Sequence, residues 1–392
     1  MTRAGTVLCV LGVLASASAA LGRTPSFEGL GFFPGGWRYT WATDVSDDGN
    51  VVVGWGVSEV ADNQAFCWTP GTGLVPLPDP TGGGKNCRAN AVSADGSVIA
   101  GYGSSSAGTV PCIWRGTGVP TALGDLAGDP FTGYAFAISA DGSVIAGDSK
   151  SWPPNEAFRW TPDAGGAPLT PLAGNEITES SSARAVSADG SAVVGRGQTA
   201  EGQEAYRWTA DEGLVALGDL PGGWHEGSAL GVSGDGSTVV GWSWSDIGRE
   251  AFYWTSDTGM VRLTDVGNPG DLALATFAYD ISANGSVVVG GGTLQDGRSG
   301  VMIWDPVHGG RLLRDVLEQD CGLDMTGWTL SDANAVSADG LVIVGRGTNP
   351  NGRIEAYRAV IPEPATLSLL ALGGVALVRR RRKYSALKPQ LG

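Results

Sequence analysis

Histidine and cysteine are scarce in this sequence. Among 392 residues there are two His and five Cys, and no two cysteines form a Cys-x-x-Cys pair. Structural zinc sites need closely spaced ligands of these types, so the scarcity argues against a metal site. Cys9 falls in the first 22 residues, which leaves Cys67, Cys87, Cys112 and Cys321 in the body. A disulfide among the first three of these and buried free thiols are equally compatible with the sequence.

Positive charge is also scarce in the body of the chain. The sequence has 25 basic and 40 acidic residues, a net charge of −15. Seven of the basic residues are Arg3 and six residues of the segment 379–392, and the first 22 residues and this segment hold no acid. The body therefore carries 18 basic against 40 acidic residues, a charge of −22. Such a body repels phosphate backbones, so we expect no nucleic-acid partner.

Helical periodicity is missing from the body as well. What the sequence has instead is 63 Gly, 21 Pro and short runs of Val and Ile bounded by them. Gly and Pro mark turns, and β-branched runs favour half-buried strands. This composition predicts an all-β protein with many short strands.

One motif recurs seven times along the chain. Its kernel is a small residue or Asp, then an apolar residue, then Ser-x-Asp/Asn-Gly, and the kernel serines are spaced by 46 to 55 residues. The kernel serines are Ser46, Ser93, Ser139, Ser187, Ser233, Ser282 and Ser337. A repeat of this length is typical of propeller blades.

Four strands are predicted in each repeat. The first ends at the kernel Ser, and Ser-x-Asp-Gly forms a tight turn because Asp can bond its own backbone and Gly accepts a positive φ. The second is the Val/Ile run ending in Gly, the third resembles Ala-Phe-x-Trp, and the fourth is Leu-rich, as in 214–220. Six third strands carry a Trp that we expect to pack between blades. They are Trp68, Trp114, Trp160, Trp208, Trp254 and Trp304.

The two ends of the repeat region complement each other. The seventh repeat stops after its third strand, 355–361, and the N-terminal segment 30–37 aligns with the fourth-strand segment 217–224. Pairing the two ends removes an exposed sheet edge. The sequence therefore predicts a seven-bladed β-propeller over residues 23–361, with the last blade closed by the N-terminal strand. The long sixth repeat also predicts a short helix over 311–318.

The segments outside the repeats predict export. Residues 1–22 have a positive start, an apolar run and a stretch of Ala and Ser, which indicates a signal peptide cut by signal peptidase. At the other end, Pro362-Glu363-Pro364 precedes an apolar stretch, 365–378, and a basic cluster of Arg379, Arg380, Arg381, Arg382 and Lys383. The basic cluster would stay on the inner side of the membrane.

This C-terminal arrangement resembles the PEP-CTERM sorting signal of bacteria. The resemblance covers residues 362–383 and implies recognition by an exosortase, a membrane-embedded cysteine protease, with cleavage near Pro362-Glu363-Pro364. It implies a short transmembrane helix that anchors the chain transiently in the inner membrane, and delivery to the cell surface or outside. Residues 384–392 are expected to be a disordered tail.

The repeats themselves resemble the HAF family of probable extracellular repeats. The matching segments are strands such as Ala157-Phe158-Arg159-Trp160 and Ala251-Phe252-Tyr253-Trp254, together with the Ser-x-Asp-Gly turns. The resemblance implies an extracellular location and no particular chemistry.

Signals for catalysis are weak. His225 and His308 lie in turn contexts and are interpreted as solvated loop residues, and no Gly-x-Ser-x-Gly nucleophile motif occurs. We therefore expect no catalytic residue and no cofactor. Asp44-x-Ser46-x-Asp48-Gly49 resembles the start of a calcium loop, and Asp280 begins a similar run, but Trp55 stands where an EF-hand has Glu. Simple turn chemistry is the favoured interpretation of both runs.

Strand alternation divides the loops between two faces of the disc. Loops between strands one and two and between three and four share one face and are nearly uniform, whereas the other loops share the opposite face and vary. Variable loops on a uniform scaffold are a common place for binding. The candidate binding residues there are Trp55, Tyr102, Trp224, Trp242 and Trp244. The alternative is that these aromatics fill gaps between blades.

The sequence favours a non-enzymatic binding or scaffold protein at the cell surface or in the extracellular matrix. Its expected partners are extracellular polysaccharide or surface proteins, besides the two processing enzymes. The alternative is a secreted carbohydrate-active enzyme, a glycosidase or lyase, on a propeller scaffold. Two acidic residues facing each other at the central channel would favour the enzyme, and an aromatic surface without such a pair would favour the binder.

Overall fold

The computed structural model describes residues 23–35, 39–58, 62–80, 86–106, 108–123, 132–149, 155–162, 165–168, 180–265 and 272–362. These residues form seven four-stranded antiparallel sheets, numbered here as blades 1 to 7 in the order of their kernel serines. The predicted seven-bladed, all-β propeller is confirmed. Strands β1 to β28 are numbered in chain order, and each blade uses four of them.

The first strand of each blade lies nearest the axis, and the other three follow outward. The first strands are β2 (Thr40–Val45), β6 (Cys87–Val92), β10 (Gly133–Ile138), β14 (Ser181–Val186), β18 (Gly227–Val232), β22 (Leu272–Ile281) and β26 (Thr329–Val336). The second strands are β3 (Val52–Gly56), β7 (Val98–Ser105), β11 (Ile145–Ser149), β15 (Ala192–Gln198), β19 (Thr238–Ser245), β23 (Val288–Leu294) and β27 (Val342–Thr348). The third strands are β4 (Gln64–Thr69), β8 (Gly108–Arg115), β12 (Glu156–Thr161), β16 (Gln203–Thr209), β20 (Gly248–Thr255), β24 (Ser299–Asp305) and β28 (Ile354–Val360). The fourth strands are β5 (Gly73–Pro76), β9 (Thr121–Ala122), β13 (Gly165–Pro168), β17 (Gly213–Ala216), β21 (Gly259–Arg262), β25 (Gly309–Leu312) and β1 (Ser26–Gly29).

The last blade is closed by the N-terminal strand, as predicted. β1 pairs antiparallel with β28, with Ser26 opposite Val360. The comparison of repeats placed this strand at 30–37, but the residues that pair are those just before it. Leu30 and Phe33 lie outside the sheet and bury their side chains between blades 7 and 1. The Leu-rich run is thus a buried connector that follows the fourth strand. The same holds in blade 4, where β17 ends at Ala216.

The hydrophobic core consists of seven clusters, one at each boundary between neighbouring blades. All six third-strand tryptophans lie in or against these clusters, which confirms their predicted packing role. Trp114 is fully buried, and its indole N–H donates to the Pro78 carbonyl oxygen at 2.8 Å. Stability therefore depends on each blade covering its neighbour.

The Ser-x-Asp-Gly turns have the same geometry in every blade. The buried kernel Ser hydroxyl donates to the Asp or Asn side chain at 2.6–2.8 Å and accepts the N–H five residues later at 2.9–3.0 Å. The turn glycines have positive φ, such as 72° at Gly190. A side chain at Gly190 would also overlap Val144 of the preceding blade. The motif is therefore explained by turn geometry and blade packing.

The turns also join the blades around the axis. The N–H after one kernel Ser donates to the carbonyl oxygen of the equivalent residue in the next blade, at 2.8–3.1 Å. These bonds run in order through Asp47, Ala94, Ala140, Ala188, Gly234 and Ala283. The end of the channel on this face is thus bounded by a chain of backbone hydrogen bonds.

Two further features concern the sixth repeat and the cysteines. A short helical segment, Leu313–Asp315 continued by Val316–Asp320, buries Leu313 and Leu317 against blades 6 and 7. Within the described residues, no helix is long and apolar enough to cross a membrane. Cys67, Cys87, Cys112 and Cys321 are all free thiols. The predicted signal peptide, sorting helix and tail lie outside the described residues.

Candidate functional site

A β-bulge occurs at the same place in all seven first strands. In each blade the register between the first and second strands shifts three residues before the kernel Ser. A bulge re-aims one side chain, and here the bulged residues line the central channel. They are Thr43, Asn90, Phe136, Arg184, Leu230, Tyr279 and Asn334. The channel wall therefore presents one bulged residue from each blade, and these are of six different types.

The bulge explains the Gly that ends each Val/Ile run. A Cβ at Gly54 would overlap the Trp41 carbonyl oxygen in the facing first strand. The equivalent glycine of every other blade meets a first-strand carbonyl in the same way. Close backbone approach at a bulge requires Gly, so the motif belongs to the construction of the channel.

The channel is a cavity of about 210 Å³. Three of its bulged residues tie neighbouring blades together. The Thr43 hydroxyl donates to the Ala89 carbonyl oxygen at 2.8 Å, and the Asn90 and Asn334 amides donate to carbonyls of blades 3 and 1 at 2.7 and 2.8 Å. These polar groups are therefore engaged by the wall itself.

Two carboxylates line the channel directly below the bulges. Asp44 accepts the N–H of Val45 at 2.8 Å and that of Val92, in the next blade, at 2.7 Å. Asp280 accepts the N–H groups of Ile281 and Val336 in the same manner, each at 2.8 Å. Enclosure in the wall raises the pKa of Asp44 to about 8, and the charge of Asp280 adds to that rise. Enclosure likewise raises the pKa of Asp280 to about 7.

These contacts correct one reading of the calcium-like runs. Asp44 and Asp48 belong to different structures: Asp44 bridges two blades in the channel wall, whereas Asp48 accepts the Ser46 hydroxyl within the turn. Both carboxylates are occupied by donors of the chain. The contacts of Asp48 fit the turn chemistry that the sequence favoured, whereas Asp44 lies outside the turn.

The opposite side of the channel has a different character. Arg184, in blade 4, lies over the Phe136 ring of blade 3, with 4.6 Å between the guanidinium carbon and the ring centroid. In a ring of seven, blade 4 faces the arc of blades 6, 7 and 1, which holds Asp280 and Asp44. The channel thus has a basic residue on one side and carboxylates on the other.

The face that carries the variable loops, called here the loop face, has a belt of contacts at the channel mouth. Residues that follow the second-strand glycines touch the first strand of the next blade. The Arg88 guanidinium lies 3.6 Å from the Trp55 ring centroid, and that of Arg346 lies 3.6 Å from the Trp41 centroid. Tyr102 meets Tyr134 edge to face at 4.7 Å. The belt therefore connects blades around the mouth.

The belt decides the role of two candidate residues. Trp55 is only 7% exposed, because Tyr39, Trp41 and Arg88 cover its ring. A recognition surface would need part of this ring to be exposed, and here residues of two blades enclose it. Tyr102 is half-buried against Tyr134. For these two residues the alternative interpretation, filling the space between blades, agrees with the contacts.

The other three candidates lie together on blade 5 and the loop that precedes it. Trp224, in the loop between β17 and β18, is 78% exposed. Its ring stacks on Trp244, with centroids 6.2 Å apart and planes 25° apart. Trp242 is half-buried and meets Phe277 at 6.3 Å. The structure therefore brings together Trp224, Trp242 and Trp244, which we call the aromatic platform.

An exposed arginine lies over the inner edge of the platform. The Arg249 guanidinium carbon is 4.5 Å from the Phe277 ring, 5.3 Å from Trp242 and 5.9 Å from Trp244. Cation–π contact of this kind holds the guanidinium parallel to the surface while its N–H groups remain available to solvent. The platform thus combines flat apolar rings with a fixed cation.

A polar group flanks the platform on its other side. His225, which follows Trp224, places Nδ1 at 2.6 Å from an Asp219 oxygen and 3.3 Å from a Glu201 oxygen. The hydrogen bond that His225 Nδ1–H donates to Asp219 is the main cause that raises the pKa of His225. Ligand atoms of Glu201, Glu204 and His225 lie within 4.8 Å of one another, a spacing that suits a cation, although exposed acids often lie this close without one. His225 is therefore tied to carboxylates rather than free in solvent.

The platform loop is fixed by the backbone. The Gln203 N–H donates to the His225 carbonyl oxygen at 3.0 Å, and the Trp244 N–H donates to the Glu226 carbonyl oxygen at 3.1 Å. These bonds join the loop to the third strand of blade 4 and the second strand of blade 5. Trp224 is thus held in place on an ordered loop.

The bulged ring was missed by sequence reasoning, although a signal for it exists. The residue four positions before each kernel Ser is Ala in all seven repeats, and the next residue differs in nearly every one. A single variable position inside a uniform strand indicates a side chain that has left the packed core. The second histidine, His308, contacts Asp305 at 3.0 Å in the blade 6 turn.

Comparison with solved structures shows the propeller fold. An oligogalacturonate lyase in complex with manganese is 13% identical, with 88% of this chain and 98% of that chain covered and a TM-score of 0.54. The β-propeller domain of the Trilobed protease from Pyrococcus furiosus is 10% identical, with 82% and 96% covered and a TM-score of 0.51. TolB from Acinetobacter baumannii is 15% identical at a TM-score of 0.46, and the match covers 68% of this chain and 63% of TolB. At these identities the likeness extends to the fold alone.

No curated protein matches the chain. A family model, the PEP-CTERM protein-sorting motif, matches residues 360–383. The match includes the predicted motif residues Pro362, Glu363 and Pro364 and the basic cluster from Arg379 to Arg382. The chain is therefore a seven-bladed propeller that ends in a PEP-CTERM motif, the mark of an exported protein sorted by an exosortase.

Proposed function

We propose that this protein is a non-enzymatic binding module, displayed at the cell surface or in the extracellular matrix, that holds an extracellular polysaccharide on its aromatic platform. The observation that carries the proposal is the exposure of Trp224, 78%, on an ordered loop and in a stack with Trp244. An apolar ring of this size is costly to leave in water, and a fixed exposed ring suits the apolar face of a sugar.

The neighbours of the platform suggest the kind of sugar. Arg249 provides N–H donors beside the rings, and His225 with Asp219 and Glu201 provides donors and acceptors on the far side. Sugar hydroxyls need such directional partners at the edge of a stacking surface. A polysaccharide with hydroxyl groups and scattered carboxylates fits both sides of the platform.

The binding experiment uses the secreted propeller body on a glycan array, followed by affinity electrophoresis in each polysaccharide that binds. Trp224→Ala should lose about tenfold or more in affinity, since truncating a central aromatic anchor costs upward of about 1–2 kcal/mol. Trp224→Phe, which keeps a stacking ring, should retain most of the binding. Val119→Ala, at another exposed apolar residue, should bind as the parent does. Equal affinity for the Trp224→Ala variant and the parent would contradict the proposal.

A second candidate function comes from the channel. Asp44 and Asp280 line one cavity with raised pKa values, an arrangement that also occurs in carbohydrate-active enzymes. We favour binding because both oxygens of each carboxylate already accept backbone N–H groups of the wall. Polysaccharide cleavage by the parent that disappears in Asp44→Ala and Asp280→Ala would favour the enzyme. These substitutions place in blades 1 and 6 the Ala found in four of the other blades.

A further inference from the structure

The chain enters and leaves the propeller at one place on the face opposite the platform. This face carries the Ser-x-Asp-Gly turns, and we call it the turn face. β28 ends at Val360, which pairs with Val342 directly after the blade 7 turn. β1 begins at Ser26, opposite Val360 in the same sheet. Both connections therefore leave blade 7 on the turn face.

The sorting motif overlaps the folded body. Its match begins at Val360, a strand residue that is 3% exposed and lies in the cluster between blades 7 and 1. Ile361 is 5% exposed, and its N–H donates to the Leu341 carbonyl oxygen at 2.9 Å. No spacer separates the last strand from Pro362. The motif thus starts inside the propeller.

This overlap limits how a protease can reach the motif. An extended chain covers at most about 3.3–3.6 Å per residue, so Pro364 lies within roughly 11 Å of the buried Ile361. An enzyme that grips a few residues on each side of a bond near Pro362-Glu363-Pro364 must then touch the propeller surface around the exit. The surface at that point becomes part of the recognition site.

The surface around the exit is polar, and acidic residues outnumber basic ones on it. A groove beside Val360 is lined by Arg23, Thr24, Ser26, Asp48, Asn50, Arg358 and Val360. Asp48 and Asp339 are exposed there, and Asp47, which also borders the channel, is exposed beside them. Arg358 is buried, donates to the Gly49 carbonyl oxygen at 2.8 Å and pairs with Glu28 at 3.1 Å. Arg23 is engaged by Asp339 at 2.9 Å. Such a surface suits a partner that carries basic groups.

We propose that the turn face at blades 7 and 1 is the docking surface for the exosortase, which contacts it through basic residues while it holds the sorting motif. Docking on this face turns the loop face, with the aromatic platform, away from the sorting enzyme. The proposal is independent of sugar binding, because it concerns another face and another partner.

The experiment follows conversion of precursor to mature protein in cells that express the full chain with its exosortase. Asp47→Lys with Asn50→Lys reverses the charge beside the exit and leaves the kernel Ser and Asp48 in place. The matched control is Ala188→Lys with Ser191→Lys, the equivalent turn positions of blade 4 across the ring. Charge reversal at an interface slows association, so we expect processing of the first variant to slow about tenfold and that of the control to keep the parent rate. Equal melting temperatures for the two purified variants show that both are folded.

A flexible spacer before the sorting motif tests whether slowed processing is due to lost docking or to another effect of the substitutions. About 15 Gly-Ser residues between Ile361 and Pro362 have a reach of roughly 20 Å, which lets the enzyme bind the motif without touching the propeller. The spacer should restore processing of the Asp47→Lys, Asn50→Lys variant to the rate of the spacer chain alone. If the spacer chain is not processed at all, contact with the propeller is required, which also supports docking. Parent-rate processing of the variant without a spacer, or equal slowing with one, would overturn the proposal.

Discussion

The two faces of the disc use the same strands for different purposes. On the turn face, seven nearly identical turns bury their serines, and backbone hydrogen bonds join the turns of blades 1 to 6. On the loop face, the equivalent positions carry different residues, such as Trp55, Asp148 and Arg346, that contact the next blade through side chains. The first face is built from the backbone and so tolerates little change. The second is built from side chains and so leaves room for a binding surface at blade 5.

The largest effect is expected where the ring closes, at the turn-face exit. Deleting 27–33 removes β1 with its bonds to β28 and the buried side chains of Leu30 and Phe33. Burial of two such side chains contributes about 1.5–3 kcal/mol each, and the deletion also exposes the edge of β28. We expect aggregation or a fall of ten degrees or more in Tm by the size scaling of such losses. An unchanged Tm and a monomeric elution volume would contradict closure by β1.

The next effect contrasts tryptophans of the two halves of the disc. Trp114→Ala removes a fully buried ring at the turn-face end of β8 and should cost about 3–5 kcal/mol. Trp224→Ala removes an exposed ring from the loop face and should change the free energy of unfolding by less than about 0.5 kcal/mol. Urea unfolding of the two variants measures both values. A large loss of stability for Trp224→Ala would show that this ring contributes to the packing of the fold.

A smaller effect is expected within one turn. Ser187→Ala removes a buried hydroxyl that donates to Asp189 and accepts the Ala192 N–H, at a cost of about 1–3 kcal/mol. Ser191→Ala is its control, because the exposed Ser191 hydroxyl bonds the same Asp189 oxygen. We expect the control to stay within about 0.5 kcal/mol of the parent in chemical denaturation. Equal losses for the two variants would show that the buried bond is not what holds the turn.

The smallest effect separates the turns from the channel by pH. Hydrogen bonds from Ser233 and Ser237 lower the pKa of Asp235 to about 2, so its contribution is present above pH 4 and is lost as the pH falls toward 2. The pKa values of Asp44 and Asp280 are raised, so their contribution is full below pH 4 and is lost as the pH rises through 7 to 8. We therefore compare the Tm of an Asp44→Ala, Asp280→Ala variant with that of the parent at each pH. The difference, variant minus parent, should be more positive at pH 9 than at pH 5. A difference that does not change with pH would show that neither carboxylate is perturbed in the channel.

The fold could be predicted from the sequence because its determinants are local and repeated. A few residues are enough to recognise each Ser-x-Asp-Gly turn, Val/Ile run and Trp strand. The seven copies give the number of blades. The fourth strand was predicted too far along the chain, because the Leu-rich run has the composition of a strand. In the structure Leu217 and Leu220 are buried in the connector that follows the strand.

The candidate site could be predicted only in part. Trp224, Trp242 and Trp244 lie together because two of them are in strand β19 and the third is in the loop that precedes blade 5. Loop and strand assignment alone brings such residues close. The burial of Trp55 depends on Tyr39, Trp41 and Arg88, which come from two blades, and no local pattern shows that they meet. The channel ring depends on a bulge, a change of register that the spacing of residues in one strand does not show.

Polysaccharide binding is assigned to the loop face, and the turn face holds the blades together. Hydroxyl-radical footprinting of the propeller body, with and without the polysaccharide that it retains, tests this claim over both faces at once. We predict protection of peptides that contain Trp224, Trp244 and Arg249, with unchanged oxidation at the turn-face tryptophans Trp160, Trp208 and Trp254. Protection of the turn-face residues, with no change at Trp224, would contradict the account.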